Sequence, residues 1–351
     1  MRYASFLKNN GIIGFVAPSF GAATEPYYSA FEAAQNRFRQ MGYQLFIGSN
    51  CYEGCGIGIS NTPKKCAKEL TEAYCDPVCD VLISCGGGEM MCEDLEFIDF
   101  ARIREASPKW YMGYSDNTNF TFLLTTLCDT ASIYGPCVKP FGMKEWDASL
   151  YDAMDLLCGR KLTQKGYESW QLEDWPEDQK TPYSSYHKTI PRKLRCFIPD
   201  GETLAEASNE VVHLQGRMLG GCLDCLKTLV GTEFDRVSDF VEKYKEDGIL
   251  WFLESCDLNV FDIRRAMWQL EHAGWFRYTR GFLIGRPMHF DEPMMGLDQY
   301  HAVIDIVSHY QVPVIMDLDL GHLPPMMPVI CGSVGEVNLR QQDFSLDMRL
   351  I

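Results

Sequence analysis

The chain reads as an α/β protein: an N-terminal domain on a parallel sheet, followed by a second, more β-rich domain. Three observations predict this. Up to residue 127, short apolar runs alternate with stretches that are apolar at helical spacing, the signature of strands joined by crossover helices. Residues 160–200 turn polar, with prolines and aromatics and no clear period, as linkers, lids and binding loops do. Beyond them, apolar runs, glycine turns and two helical stretches mix. The expected division is 1–160 for the first domain, 161–195 for a linker or lid, and 196–351 for the second.

Each element of the first domain has a local cause. "GIIGFVAP" (11–18) is a short apolar run closed by proline and glycine, hence a buried strand. Residues 26–41 carry Tyr27, Ala30, Phe31, Ala34, Phe38 and Met41 at helical spacing and stop at Gly42. "YQLFIG" is the next strand. Thr62-Pro63 opens a helix with proline at its first position. "CDVLISCGGG" is a third strand ending in glycines, "EDLEFIDFARIREAS" a helix, and "KWYMGYS" a fourth strand. "FTFLLTTLC" follows as a helix through Phe120, Leu123, Leu124 and Leu127. Ligands of parallel sheets gather at the carboxyl ends of strands. The loops "APSFG", "CGGGE" and "GYSDN" are therefore expected to share one crevice.

Composition narrows the function. With 351 residues and 46% hydrophobic content, there is enough chain for two cores. A formal net charge of −16 repels phosphate backbones and anionic lipid, so neither nucleic acid nor a membrane surface is an expected partner. No stretch approaches the roughly 20 apolar residues of a span, and the N-terminus lacks the order of a signal peptide. Fifteen cysteines, an odd number scattered through strands and helices, fit a reducing compartment better than a disulfide framework. The expected location is cytoplasmic. The cysteine pairs 51/55, 75/79 and 222/225 have no histidine at zinc-site spacing nearby, so no metal and no cofactor is expected.

Three residues stand out chemically. Ser115 sits where "KWYMGYS" turns abruptly into a helix. There it is either an N-cap or a nucleophile held exposed by a sharp turn. His322 lies on a Gly/Pro-framed loop after the apolar run "VPVIMDLDL", as a hydrogen-bonded loop residue or a base. Glu254 ends the buried-type strand "ILWFLE", where an acid needs a partner; that partner is a histidine it orients or an arginine such as Arg264. An acyl transfer would also need an oxyanion hole. The N–H of Asp116 and the glycines of "CGGGE" are the candidate donors. The chain has neither a GxxxxGK[ST] nor a GxGxxG phosphate loop.

Taken in the order Ser, Glu, His, these pieces resemble the LD-carboxypeptidase family of serine peptidases, which includes muramoyl-tetrapeptide carboxypeptidases and microcin C immunity peptidases. The similarity runs through "GFVAPS", "ISCGGGEMMCEDLEFIDF", "WYMGYSDNT", "YGP", "GRMLGGCLDCLKTLVGT", "ILWFLE", "FDIRRAMWQLEHAGWF", "LIGRP" and "PVIMDLDLGHLPPMMPVICG". The resemblance implies a flavodoxin-like N-terminal domain, a swivelling β-rich C-terminal domain and a homodimer. It implies Ser115 as nucleophile, Glu254 and His322 as the rest of a triad, and an oxyanion hole from Asp116 and Gly86, Gly87 or Gly88. Cys222 stands where many members carry Asn after two glycines, among the substrate contacts, and Ser255 stands where an acid is common.

The length and the tryptophans of the 160–190 region look more like the microcin-immunity branch. In that branch, aromatics of this loop stack on a nucleotide base; Trp170 and Trp175 are the candidates, Trp175 preferred. The implied substrate is a muropeptide stem or, alternatively, a peptidyl- or aminoacyl-nucleotide. A catalytically silent binding protein on the same fold is a further alternative.

Overall fold

The computed structural model describes residues 1–207 and 210–351. It divides into two compact units. The first comprises Met1–Lys161, Glu173–His187 and Pro328–Cys331; the second comprises Leu162–Leu172, Lys188–Met327 and Gly332–Ile351.

In the first unit the alternation read from the sequence becomes β1 (Ile12–Val16), α1 (Tyr27–Gln40), β2 (Gln44–Ile47), α2 (Pro63–Cys75), β3 (Val81–Ser84), α3 (Phe100–Glu105), β4 (Trp110–Gly113), α4 (Thr118–Thr126), β5 (Ser132–Tyr134) and α5 (Ala148–Leu157). The strands β5-β4-β3-β1-β2 are parallel neighbours in that order. A sixth, Val329–Cys331, pairs antiparallel with β5 from far along the chain. Strands β3 and β4 are wholly buried, which explains their continuous rather than alternating apolar sequence. The helix expected over "EDLEFIDFARIREAS" is broken in two. A 3-10 turn at Met91–Phe97 ends before Asp99, whose side chain caps the short α3 by accepting the Arg102 N–H at 2.9 Å.

The second unit holds a nine-stranded sheet. Its strands are β6 (Thr163–Gln164), β9 (Arg195–Asp200), β10 (Thr203–Glu206), β11 (Val211–Cys222), β12 (Ile249–Glu254), β13 (Thr279–Gly285), β14 (Val314–Leu318), β16 (Val334–Arg340) and β17 (Asp343–Arg349). The order is β10-β9-β14-β13-β12-β11-β16-β17-β6. A small ribbon pairs β7 (Ser169–Trp170) with β8 (Ile190–Pro191), and β15 is the Val329–Cys331 strand of the first unit. The central four strands β11 to β14 run parallel. Four helices accompany them among the described residues, not the two expected: α6 (Leu223–Leu229), α7 (Val237–Lys243), α8 (Val260–His272) and α9 (His301–Val307). The sequence hid α7 because "EFDRVSDFVEKYKEDG" is mostly polar; only Val237, Phe240 and Val241 are buried.

Leu162–Leu172 belongs to the second unit and Glu173–His187 to the first. Aperiodicity marked the 161–195 segment as irregular, but which core each part packs on depends on contacts distant in sequence.

Candidate active site

The first unit supplies a strained serine. Ser115 follows β4 and Tyr114, has φ of +63°, and opens a 3-10 turn that runs into α4. A non-glycine residue in the left-handed region costs on the order of 1–3 kcal/mol and persists only where its surroundings impose it. Ser115 is not at an N-cap position: Tyr114 is the N-cap of the turn and Asn117 that of α4. The residue is half-buried, and its backbone N–H donates to the Tyr134 hydroxyl at 3.3 Å.

The turn is latched by its two following residues. Asp116 is 3% exposed. Its Oδ2 accepts from Ser19 Oγ at 2.6 Å and from the Met91 N–H at 3.0 Å, while Oδ1 accepts from Asn119 Nδ2 at 3.0 Å. Burial pushes this carboxyl up to about 6, against the pull of those hydrogen bonds. Asn117, fully buried, donates through Nδ2 to the Gly86 carbonyl at 3.0 Å and to the Tyr114 carbonyl at 3.1 Å, and accepts from the Tyr111 hydroxyl. The triglycine loop is thereby tied to the serine turn.

Gly86 O also accepts from Ser84 Oγ at 3.0 Å, and Gly87 O accepts from the Phe20 N–H at 3.1 Å. A Cβ on Gly87 would lie 3.0 Å from both Cβ and Oγ of Ser115; the loop backbone approaches the hydroxyl as closely as a glycine permits. A Cβ on Gly88 would meet Ser19 Oγ at 2.4 Å. The loops "APSFG", "CGGGE" and "GYSDN" therefore do converge. Sequence reasoning used Asp116 only for its N–H and passed over the side chains of Asn117 and Ser19. The signal was there: an acid and an amide directly after the serine.

One group beneath this turn has no counterpart in the reading above. Asp94 is fully buried, and neither carboxyl oxygen has a hydrogen-bond partner among the described residues. Burial, reinforced by Asp116 and Glu93, pushes it up to about 9.

The second unit supplies an acid–imidazole pair. Glu254 closes β12 and His322 follows β14, both at carboxyl ends of parallel strands. Glu254 Oε2 lies 2.8 Å from His322 Nδ1, and the two side chains are 1% and 11% exposed. Arg264, the other partner considered for Glu254, pairs with Asp305 instead at 2.8 Å. Gly321, with φ of +96°, makes the pair possible: a Cβ there would lie 2.3 Å from Glu254 Oε2. Burial disfavours a charged imidazole, but the Glu254 carboxylate and the Cys256 thiol outweigh it and hold His322 well above the ordinary imidazole range. Cys256 was not singled out from the sequence; its neighbour Ser255 was.

Cys222 pairs in register with Glu254 on β11 and β12. Cys222, Glu254 and His322 each present a ligand-type atom within 4.8 Å of the others. Trp170 is 3% exposed, edge-on to Phe290 at 4.9 Å and under the Arg286 guanidinium at 4.7 Å. Those contacts commit Trp170 to packing in the second unit. Trp175, in the first unit, is half-buried; it stacks on His187 at 4.3 Å and donates Nε1–H to the Ser185 carbonyl at 2.7 Å.

The first unit carries a serine on a strained strand-to-helix turn beside a glycine loop, and the second a buried Glu–His pair at strand ends, side chains of the kinds that peptidases use. Comparison with known proteins is more specific. The LD-carboxypeptidase N-terminal domain matches residues 13–135 and the LD-carboxypeptidase C-terminal domain residues 215–337. The chain belongs to the LD-carboxypeptidase family.

Among curated relatives, the microcin C7 self-immunity protein MccF of Escherichia coli is 23% identical over 96% of this chain and 92% of its own. Among solved structures, an MccF-like protein of Bacillus anthracis superposes with a TM-score of 0.80 at 19% identity, covering 100% of both chains. A mutant of microcin C7 self-immunity protein MccF in complex with adenosine monophosphate gives 0.79 at 19% identity, over 99% of this chain and 98% of its own. At that identity the superpositions establish the mixed α/β fold. Among the described residues no helix is long and apolar enough to cross a membrane.

Proposed function

We propose that this chain is a serine carboxypeptidase that hydrolyses an amide bond through Ser115, His322 and Glu254. The observation that carries the reading is the hydrogen bond between His322 Nδ1 and the buried Glu254 carboxylate. In the neutral imidazole, with Nδ1–H donated to Glu254, the lone pair is on Nε2, the nitrogen that serves as base; the raised affinity of His322 for its proton means that activity needs a pH at which this neutral form is populated. Ser115 Oγ attacks the carbonyl carbon as Nε2 takes its proton. The tetrahedral oxyanion is received by the N–H of Asp116 and one from Gly86, Gly87 or Gly88. The C–N bond breaks and Nε2 returns the proton to the leaving amine. Water, deprotonated by the same nitrogen, then cleaves the acyl ester and regenerates Ser115. The φ of Ser115 and the close approach of Gly87 support the nucleophile role.

The substrate we favour is a muropeptide stem cut at an L,D bond to release terminal D-alanine, acted on in the cytoplasm by a homodimer. A second reading, a peptidyl- or aminoacyl-nucleotide, draws on Trp175, a half-buried ring on the Glu173–His187 segment. Incubating the purified protein with a muropeptide tetrapeptide and with processed microcin C, followed by mass spectrometry, separates the two. Ser115→Ala serves as control. Turnover of neither substrate would favour a silent binding protein.

A further inference from the structure

We propose that Cys222, Glu254 and His322 form a binding site for a thiophilic divalent cation of the zinc class, and that its occupancy arrests the enzyme. The arrest rests on the triad reading above; the binding does not. Thiolate, imidazole and carboxylate are the three ligand types zinc takes from proteins, and a three-residue set leaves the fourth position for water. One ligand atom of each residue lies within 4.8 Å of the others. Zinc bond lengths of about 2.0–2.3 Å put tetrahedral ligand atoms about 3.4–3.7 Å apart. Glu254 and His322 are already nearer, at 2.8 Å. Closing the set on a cation brings Cys222 Sγ in and parts Glu254 from His322 by about 0.5 Å or more.

The fold builds this set from chain segments that sequence spacing cannot connect. Cys222 and Glu254 are held side by side by the register of β11 and β12, and His322 is brought over Glu254 by the turn at Gly321. The three are nearly or wholly withdrawn from solvent, with Cys222 at 1% exposure. A bound cation there escapes competition from bulk water. Cys222 Sγ now donates its proton to Asp224 Oδ2 at 3.3 Å. Binding would release that proton and the one shared by His322 Nδ1 and Glu254 Oε2. Asp224 would remain satisfied, because it also accepts the N–H groups of Cys256 at 3.0 Å and Asp257 at 2.8 Å. An amide at position 222 would offer no thiolate, so the site is a property of this chain's cysteine. A cation held by His322 or Glu254 takes the base out of service, which makes peptidase activity responsive to available zinc.

The test is metal retention by the whole protein. After equilibration with zinc and desalting, wild type is expected to keep a single equivalent by elemental analysis. Cobalt substitution should give the thiolate-to-metal charge-transfer absorption of a cysteine ligand. Cys222→Asn should lose both signals while circular dichroism shows it folded. Cys55→Ser, which removes an exposed thiol elsewhere, should keep them. His322→Ala, which leaves all fifteen thiols in place, should weaken retention at least tenfold. Retention unchanged in folded Cys222→Asn and His322→Ala, or no retention by wild type, overturns the site. If the site holds, zinc should inhibit wild-type hydrolysis and EDTA should restore it. Specific binding by a protein that hydrolyses nothing when metal-free would leave the site standing and sink the triad instead.

Discussion

Glu254 Oε2 and His322 Nδ1 meet at 2.8 Å although 68 residues separate them in the chain. This pair is the part of the candidate triad whose geometry is most constrained, since both side chains are almost wholly buried. A buried carboxylate hydrogen-bonded to an imidazole fixes both its tautomer and its ring orientation.

On the proposed triad, removing the nucleophile or the base should be far worse than altering the orienting acid. Ser115→Ala and His322→Ala are expected to lower kcat by about 10^5–10^6-fold, and Glu254→Gln by about 10^4-fold or less, with the fold retained. Single-turnover kinetics on whichever substrate is cleaved would measure this. Turnover by Ser115→Ala near that of wild type would rule out the mechanism.

Gly321→Ala should damage both stability and catalysis. Its φ of +96° is unfavourable for alanine, and the new methyl would sit 2.3 Å from Glu254 Oε2. A loss of about 1–3 kcal/mol is expected from the backbone alone. Displacing Glu254 should also cut kcat while KM changes little. Thermal unfolding and steady-state kinetics read the two effects separately, and a variant with unchanged kcat would show that Glu254 tolerates the shift.

Gly87→Ala should behave differently. No left-handed backbone angle is required there, so stability should fall little, but a methyl 3.0 Å from Ser115 Oγ crowds the attacking atom. The expectation is a kcat decrease of about 10^2-fold or more, in line with the loss of oxyanion-hole geometry. Wild-type kcat in this variant would place the reacting carbonyl away from Gly87.

Trp175→Ala separates the two substrate readings. Stacking of a base on an aromatic ring contributes about 1–3 kcal/mol, so KM for a nucleotide-bearing substrate should rise by roughly ten- to a hundredfold. A muropeptide has no base and should be little affected. Small and equal changes on both substrates would leave Trp175 as packing against His187.

The Asp94 carboxyl should make stability depend on pH. Its folded value is raised from 3.8 to about 9, first by burial and then by Asp116 and Glu93. The folded state thus holds this proton more tightly than the unfolded chain. That contribution is complete below the unfolded value and is lost as pH rises through the folded one. Asp94→Asn has no proton to lose. The melting temperature of the variant relative to wild type should therefore climb from about pH 4 to about pH 9 and then level off. A difference independent of pH would mean that Asp94 finds a partner on ionising.

Much of the first unit was legible from local pattern alone. Its strands and most of its helices declare themselves by burial period, by Thr62-Pro63 at a helix start and by glycines at strand ends, all signals that act within a few residues. Ser115, Glu254 and His322 were legible as residue types in telling local settings. The break of the helix at Asp99 was missed because apolar spacing continues through it. Helix α7 was missed because a short helix needs only three buried positions.

What local pattern could not supply is every relation that spans the chain. The residues around Ser115 suggested both a cap and a sharp turn; the latch of Asp116 on Ser19, Met91 and Asn119, and of Asn117 on Gly86, selects the strained backbone. Nothing near Cys222 announces a histidine, yet strand register and the Gly321 turn bring His322 to it. The 161–195 segment carries no period to say which core it serves, and its two parts are claimed by different units. Strand pairing and burial are non-local: their energy depends on which distant surfaces meet. Residue identity and local period therefore determine the chemistry available to this chain, and long-range packing determines which of those groups work together.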